Sequence, residues 1–252
     1  MRLENKVALI TGSSRGIGRG IALGFAKEGA DVIVHYRSTK ERAEKVVNDI
    51  KKSGRKAAAL QADIGIPENI EGFIAAAWDL FGRIDILVNN AGTAFRCEFL
   101  KIDFEMWRKI QSLNLDGVML CSQLVAGRMI ENNIKGTIIC VTSINAFQVE
   151  KNLSAYNVSK AGLDMLIKSM AAELGPYGIR VNGIAPSVVK TEIMPEEFWK
   201  TQGVLFEKKT PLGRLGDVED CVGPAVLLAS DESRYINGHI IVIDGGMSIT
   251  QL

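Results

Sequence analysis

The chain has little of what metal sites, disulfide frameworks and membrane anchors are built from. Of 252 residues, four are cysteine and two are histidine. Cys97, Cys121, Cys140 and Cys221 are scattered, with no C-x-x-C pair among them, so neither a disulfide scaffold nor a bound metal is expected. Cys140 stands inside the apolar run Thr-Ile-Ile-Cys-Val, where a thiol is buried and inert. Scattered thiols of this kind belong to a reducing compartment. No apolar run approaches the ~18 residues of a bilayer span. The opening Met-Arg-Leu-Glu-Asn-Lys leads into a strand without a leader's apolar segment, so a cytoplasmic protein is expected. A net charge of +1 with 23% charged residues leaves no one-signed surface for nucleic acid or an anionic membrane. Low-complexity tracts, repeats and Ser/Gly-rich linkers are also missing. A single domain over residues 1–252 is the expectation.

What is there is apolar and rhythmic. Hydrophobic residues make up 47% of the chain, grouped in short β-branched runs separated by longer stretches of helical period. Runs at 7–11, 32–35, 57–62, 86–89, 137–143, 180–185 and 240–244 read as strands. They are continuous rather than alternating, as a parallel sheet covered on both faces requires. The pattern predicts an α/β fold of Rossmann type: a doubly wound parallel sheet of seven strands with helices on both faces. The rhythm breaks at about 187–215, where Thr-Glu-Ile-Met-Pro-Glu-Glu-Phe-Trp and Thr-Pro-Leu-Gly-Arg form an insertion long enough to carry its own helix. Such insertions are often lids; the alternative is that Phe198 and Trp199 merely pack onto the core.

The first strand runs into Thr11-Gly12-Ser13-Ser14-Arg15-Gly16-Ile17-Gly18 ahead of an apolar helix. Glycines at such a turn let the backbone approach a pyrophosphate, which sits against the free N–H groups of the helix N-terminus. The spacing departs from G-x-G-x-x-G, so the turn alone identifies nothing. Three features follow it in order: Asn89-Asn90-Ala91-Gly92 after the fourth strand, Ser143 after the fifth, and Tyr156 with Lys160 on the next helix. Residues at i and i+4 share a helix face. The Lys160 ammonium is therefore expected beside the phenol, whose ordinary pKa of ~10 a close positive charge lowers. Proton exchange with an alcohol then becomes feasible. In this order the motifs resemble those of the short-chain dehydrogenase/reductase family, and the resemblance covers the whole chain.

The resemblance implies a dinucleotide held by Gly12, Ser14, Arg15, Gly16, Ile17 and Gly18, with Asp63 and Ile64 at the adenine. Asn90, Ala91, Gly92 and Tyr156 also contact it, Lys160 donates to its nicotinamide ribose, Pro186 lies beside the nicotinamide, and Val189 and Thr191 meet the carboxamide. Pro186-Ser187 stands where the family usually has Pro-Gly, which puts the local backbone path in question. An acidic residue after the second strand holds the ribose hydroxyls of NAD. Here His35-Tyr36-Arg37-Ser38 offers none, and Arg37 with Arg15 can clamp a 2′-phosphate. NADP(H) is the preferred cofactor and NAD(H) the alternative. His35 is read as strand-end packing.

By the same resemblance Tyr156 exchanges the hydroxyl proton, Ser143 holds the substrate oxygen, Lys160 serves both phenol and ribose, and Asn114 helps hold a relay water. Around the pocket stand Phe95, Asn145, Gln148 and Trp199, with Thr93, Ala94, Arg96, Phe147, Glu150 and Met194 nearby. Their polar groups favour a sugar or polyol, so the expected reaction interconverts a secondary alcohol or sugar hemiacetal and its carbonyl. The alternatives are a 3-oxoacyl-[acyl-carrier-protein] reductase or general ketone reductase, and a non-catalytic NADP(H)-binding protein. The carrier-protein branch usually has Thr-Arg-Asp where this chain has Thr93-Ala94-Phe95-Arg96, and the intact Ser143, Tyr156, Lys160 and Asn114 argue against a binder alone. A homotetramer with the apolar strand at 240–244 in a covered edge completes the expectation.

Overall fold

The structure is a computed structural model and describes residues 1–192 and 194–249. The strands are β1 (Val7–Ile10), β2 (Asp31–Tyr36), β3 (Ala57–Gln61), β4 (Ile86–Asn89), β5 (Thr137–Val141), β6 (Arg180–Pro186) and β7 (Ile240–Ile243). They form one seven-stranded sheet in the order β3-β2-β1-β4-β5-β6-β7, every adjacent pair parallel. Each expected strand is present, its ends shifted by at most a few residues. Between them lie α1 (Gly16–Lys27), α2 (Lys40–Lys52), α3 (Ile70–Phe81), α4 (Phe104–Gln111), α5 (Gly117–Glu131) and α6 (Ser154–Leu174).

Alternation along each strand sends side chains to two cores. Ala8 and Ile10 pack with Ile21 and Phe25 of α1 and Val46 and Ile50 of α2. Val7 and Leu9 pack with Phe73 and Ile74 of α3, Val125 and Met129 of α5, and Leu163 and Ile167 of α6. Each such aliphatic or aromatic side chain contributes ~1.5–3 kcal/mol by leaving water. Burial on both faces explains the uninterrupted apolar runs.

The insertion carries α7 (Glu196–Phe198), a π turn over Trp199–Gly203 and α8 (Val204–Lys209), one continuous helical stretch; α9 (Val218–Ala229) follows. A parallel bridge between Val189 and Gly216 draws its two roots together. Gly20 and Gly24 let α1 lie directly on α9, since a β-carbon there would come within 2.1 Å of Val218 Cγ1 and 2.3 Å of Val222 Cγ1. That closeness accounts for two mid-helix glycines, each of which costs ~1 kcal/mol of helix propensity. β1 lies between β2 and β4, so the chain changes direction there, and the crevice beyond the carboxyl ends of these strands is where an open α/β sheet receives a ligand.

Candidate active site

The turn after β1 is built to be rigid. Gly12 and Gly16 adopt φ of +63° and +55°, values that glycine takes without strain. Thr11 Oγ1 accepts the Asn90 and Ala91 N–H groups at 2.9 and 3.0 Å, and Asn90 Nδ2 donates to the carbonyls of Thr11 and Gly12 at 2.9 and 3.1 Å. From the other side the Gly12 N–H donates to His35 Nδ1 at 2.9 Å. With Nδ1 accepting, the ring proton sits on Nε2, 3.1 Å from the Ala62 carbonyl. Burial pushes the imidazole down to about 4, so it stays neutral and keeps that tautomer. His35 packs on Phe73, as read from the sequence, with ring centroids 4.8 Å apart, and it also locks the turn.

The N-terminus of α1 has no side-chain cap and no acidic residue in its first turn, which leaves it receptive to an anion. A carboxylate reaches it from the insertion: Glu192 Oε1 accepts the Gly16 N–H at 3.1 Å. Burial raises the Glu192 carboxyl, but hydrogen bonds from its own N–H and that of Gly16, with the charges of Arg19 and Arg42, outweigh burial and hold it below its ordinary value. The carboxylate shows that this helix end accepts an anion. Ser14 is partly buried beside this end, and Ile17 packs against the core. Farther along the crevice is a cleft of about 720 Å³ whose lining includes Arg37, Gln61, Asp63, Asn69 and Phe73. Arg15, Arg37 and Ser38 are exposed. Asp63 Oδ1 caps the turn through the Gly65 N–H at 3.0 Å, and the Ile64 side chain is buried in the core. An anion-binding helix end, exposed guanidinium groups and no carboxylate after β2 fit a nicotinamide dinucleotide carrying a 2′-phosphate.

At the end of β5, Ser143 Oγ accepts the Asn145 N–H at 3.1 Å, and α6 brings Tyr156 and Lys160 to the same place. Lys160 is buried, its Nζ donates to the Val141 carbonyl at 2.8 Å, and it lies 5.6 Å from the centre of the Tyr156 ring. Burial pushes the ammonium down to about 8, against opposing pulls from Cys140 and Asp164. The phenol is raised above its ordinary value by burial; its hydrogen bond with Ser143 opposes this and the Glu150 carboxylate adds to it. The expected acidification by Lys160 is thus absent from this state. The ammonium is hydrogen-bonded to a carbonyl rather than to the phenol, so desolvation prevails.

A π turn over Ser112–Asp116 points fully buried Asn114 inward, a helical irregularity frequent at functional sites. Asn114 Oδ1 accepts the Thr93 N–H at 2.8 Å, and its Nδ2 donates to Thr93 O at 2.9 Å and Ser159 Oγ at 3.0 Å. A β-carbon on Gly92 would sit 3.3 Å from Asn114 Oδ1 and 3.8 Å from Lys160 Nζ, so these three positions converge. Thr142 Oγ1 donates to Asp164 Oδ1 at 2.5 Å, anchoring the end of β5 to α6. Thr11, Glu192 and Asp164 escaped the sequence reading; only Asp164, four residues beyond Lys160 on the same helix face, left a periodic signal.

Ser187 keeps an ordinary φ, outside the left-handed region, so serine replaces the glycine after Pro186 without strain. Val189 is held by its bridge to Gly216, and Thr191 is partly buried beside it. Of the pocket residues, Asn145 is joined directly to Ser143. Gln148 instead donates to the Ser248 carbonyl at 3.0 Å. Trp199 is buried against Phe198 at 5.1 Å, and Phe95 is partly exposed with Lys109 Nζ 5.5 Å from its ring centre.

Residues 12–248 match the family described as enoyl-(acyl carrier protein) reductase. A short-chain type dehydrogenase/reductase from Mycobacterium marinum has a TM-score of 0.92 at 37% identity, covering 98% of this chain and 97% of that one. The chain belongs to the short-chain dehydrogenase/reductase family. L-rhamnose 1-dehydrogenase (NAD(P)(+)) of Sphingomonas sp. SKA58 is 37% identical over 248 residues, 98% of each chain. Gluconate 5-dehydrogenase from Burkholderia cenocepacia J2315, solved with NADP and tartrate, has a TM-score of 0.93 at 33% identity, covering 99% of this chain and 98% of that one.

Proposed function

We propose that the protein is an NADP(H)-preferring sugar or polyol dehydrogenase, able to use NAD(H) as the alternative. The observation that carries this is the convergence of Ser143, Tyr156 and Lys160 beside Gly92, one crevice away from an anion-binding helix end with exposed Arg15 and Arg37. Relatives named as rhamnose and gluconate dehydrogenases support the sugar class.

In this reading the nicotinamide supplies or accepts the hydride. Ser143 donates to the substrate oxygen, and Lys160 keeps a positive charge beside the phenol. Tyr156, protonated in this state, gives its proton to the carbonyl oxygen in reduction and takes the hydroxyl proton in oxidation only as the phenolate, after its own proton has left through the relay. Burial of Ser143 and Lys160, with Tyr156 half-buried between them, limits the water that would compete for the oxyanion. Asn114 fixes the loop after β4 and offers the remaining amide capacity to a relay water. The insertion at 187–215 acts as a lid, with Glu192 and Trp199 on it. No helix among the described residues is long and apolar enough to cross a membrane; four free thiols support a cytoplasmic setting. Exposed apolar side chains on α4 and α6, Phe104, Val158 and Met165, support a homotetramer.

Absorbance at the reduced-nicotinamide band tests the reading. The protein should reduce NADP with an aldose such as L-rhamnose or D-glucose, and Tyr156→Phe should lower kcat by about 10²–10⁴-fold while leaving the Kd for NADP within a few-fold. A near-normal kcat in the variant would refute the role of Tyr156.

A further inference from the structure

Two loops at the carboxyl edge of the sheet carry opposite charges that meet beside Ser143. Arg96, on the loop after β4, forms an ion pair through Nη2 with Oε1 of Glu150, on the loop after β5. The two segments are further joined by the Cys97 N–H, which donates to the Asn152 carbonyl at 2.8 Å. Glu150 is wired to the reacting end. Its Oε2 accepts from Asn145 Nδ2 at 3.4 Å, and the Asn145 N–H donates to Ser143 Oγ at 3.1 Å. Asn145 Nδ2 also donates to Asn157 Oδ1 at 3.0 Å, while Asn157 Nδ2 donates to the Glu150 carbonyl at 3.0 Å. Asn157 follows Tyr156 directly in the chain, so the carboxylate is tied to both ends of the hydroxyl-handling pair. The side chains of Arg96 and Glu150 remain 52% and 32% exposed.

An unpaired guanidinium at the mouth of such a site would be a bidentate receptor for a carboxylate. Here the receptor is already filled by a carboxylate of the chain itself. A substrate bearing its own carboxylate would have to displace Glu150 and leave two like charges facing each other, which is the repulsive side of specificity. A neutral polyol meets no such conflict, because its hydroxyls can donate to the Glu150 oxygens and accept from the outer guanidinium N–H groups. We infer that the Arg96–Glu150 pair selects the charge of the substrate, admitting neutral polyhydroxylated molecules and rejecting sugar acids. The inference rests on the sugar-dehydrogenase reading and narrows its substrate class; Arg96 and Glu150 act as specificity residues and exchange no proton or hydride themselves, and the pull of Glu150 on the phenol bears equally on both members of a matched substrate pair.

The test compares kcat/KM within matched pairs that differ by one carboxylate, using the whole enzyme. D-glucose against D-glucuronate with NADP is one pair, and ethyl acetoacetate against acetoacetate with NADPH is the other. The wild type should favour the neutral member by about tenfold or more, the scale of one hydrogen bond to a charged group. Glu150→Gln frees the guanidinium and should raise the acid-to-neutral ratio about tenfold; adding Arg96→Met to that variant should abolish the gain. If Glu150→Gln fails to fold by circular dichroism, Arg96→Met alone exposes an unpaired carboxylate and should lower the acid-to-neutral ratio further. A wild type that prefers the acids, or a ratio that these substitutions leave unchanged, overturns the inference. Turnover of D-glucose with an unmoved ratio would leave the sugar reading standing without it. Turnover of the oxo pair but of neither sugar would overturn the sugar reading while still deciding the role of the ion pair. Inactivity toward all four compounds would overturn both.

Discussion

His35 shows how a single buried base ties stability to pH. Its pKa is about 4 in the fold against an ordinary 6.5, so the unfolded chain binds a proton between those values that the folded chain refuses. The contribution is complete above pH ~6.5 and is lost as pH falls to about 4, amounting to about 3 kcal/mol. His35→Gln should therefore flatten the acid limb of the stability curve in urea titrations at successive pH values; an unaltered limb would show that the imidazole is not its source. Lys160 acts on the other side of neutrality. Tyr156 is held above its ordinary value and stays protonated, so on raising pH the first group to titrate is the Lys160 ammonium, at about 8. For carbonyl reduction kcat/KM should decline through that value, and Lys160→Arg, which remains charged, should push the decline upward even if its rate is lower. A decline at the same pH in the variant would assign it to another group.

At the scale of elements, the N-terminus of α1 is the most consequential feature, and the insertion already answers it. Glu192 on Gly16 occupies the place where a phosphate would be received, and its carboxyl is held ionised. In the proposed NADP(H) reading, cofactor and carboxylate would compete for the same N–H group and the same dipole. Glu192→Gln should therefore lower the Kd for NADP by about threefold to tenfold, the worth of one charge at a helix end, measured by quenching of intrinsic fluorescence. Weaker binding in the variant would mean that Glu192 assists the cofactor instead. The π turn over Ser112–Asp116 makes a comparable point for Asn114. The extra residue it accommodates turns the amide toward Thr93 and Ser159, an orientation that regular 3.6-residue periodicity does not foretell.

For the whole molecule, the exposed side chains of Phe104 on α4 and of Val158 and Met165 on α6, respectively 75%, 50% and 61% accessible, lie on helices outside the two cores. In the proposed tetramer these side chains would be covered by another copy of the chain. Light scattering at micromolar concentration should give a mass near four chains, and Met165→Glu should lower it to that of a smaller assembly. A wild type of one-chain mass would end the tetramer reading. Little else at this scale was hidden. The strands fell where continuous apolar runs stood, because burial on both faces leaves no room for polar alternation, and the insertion was visible as a break in that alternation of strand and helix.

The sequence by itself determined the sheet, the family and the residues that meet at Ser143, since each depends on local period or on a motif contained in one short segment. Tertiary structure alone decided the pairings between distant segments. Glu192 against Gly16, His35 against Gly12, Thr142 against Asp164 and Arg96 against Glu150 join residues brought together by the fold. It also decided the sign of the Tyr156 shift. Spacing puts a lysine one turn from the phenol, but which acceptor the ammonium takes, and how thoroughly water is removed, are set by packing of α6 against β5; desolvation then outweighs the charge.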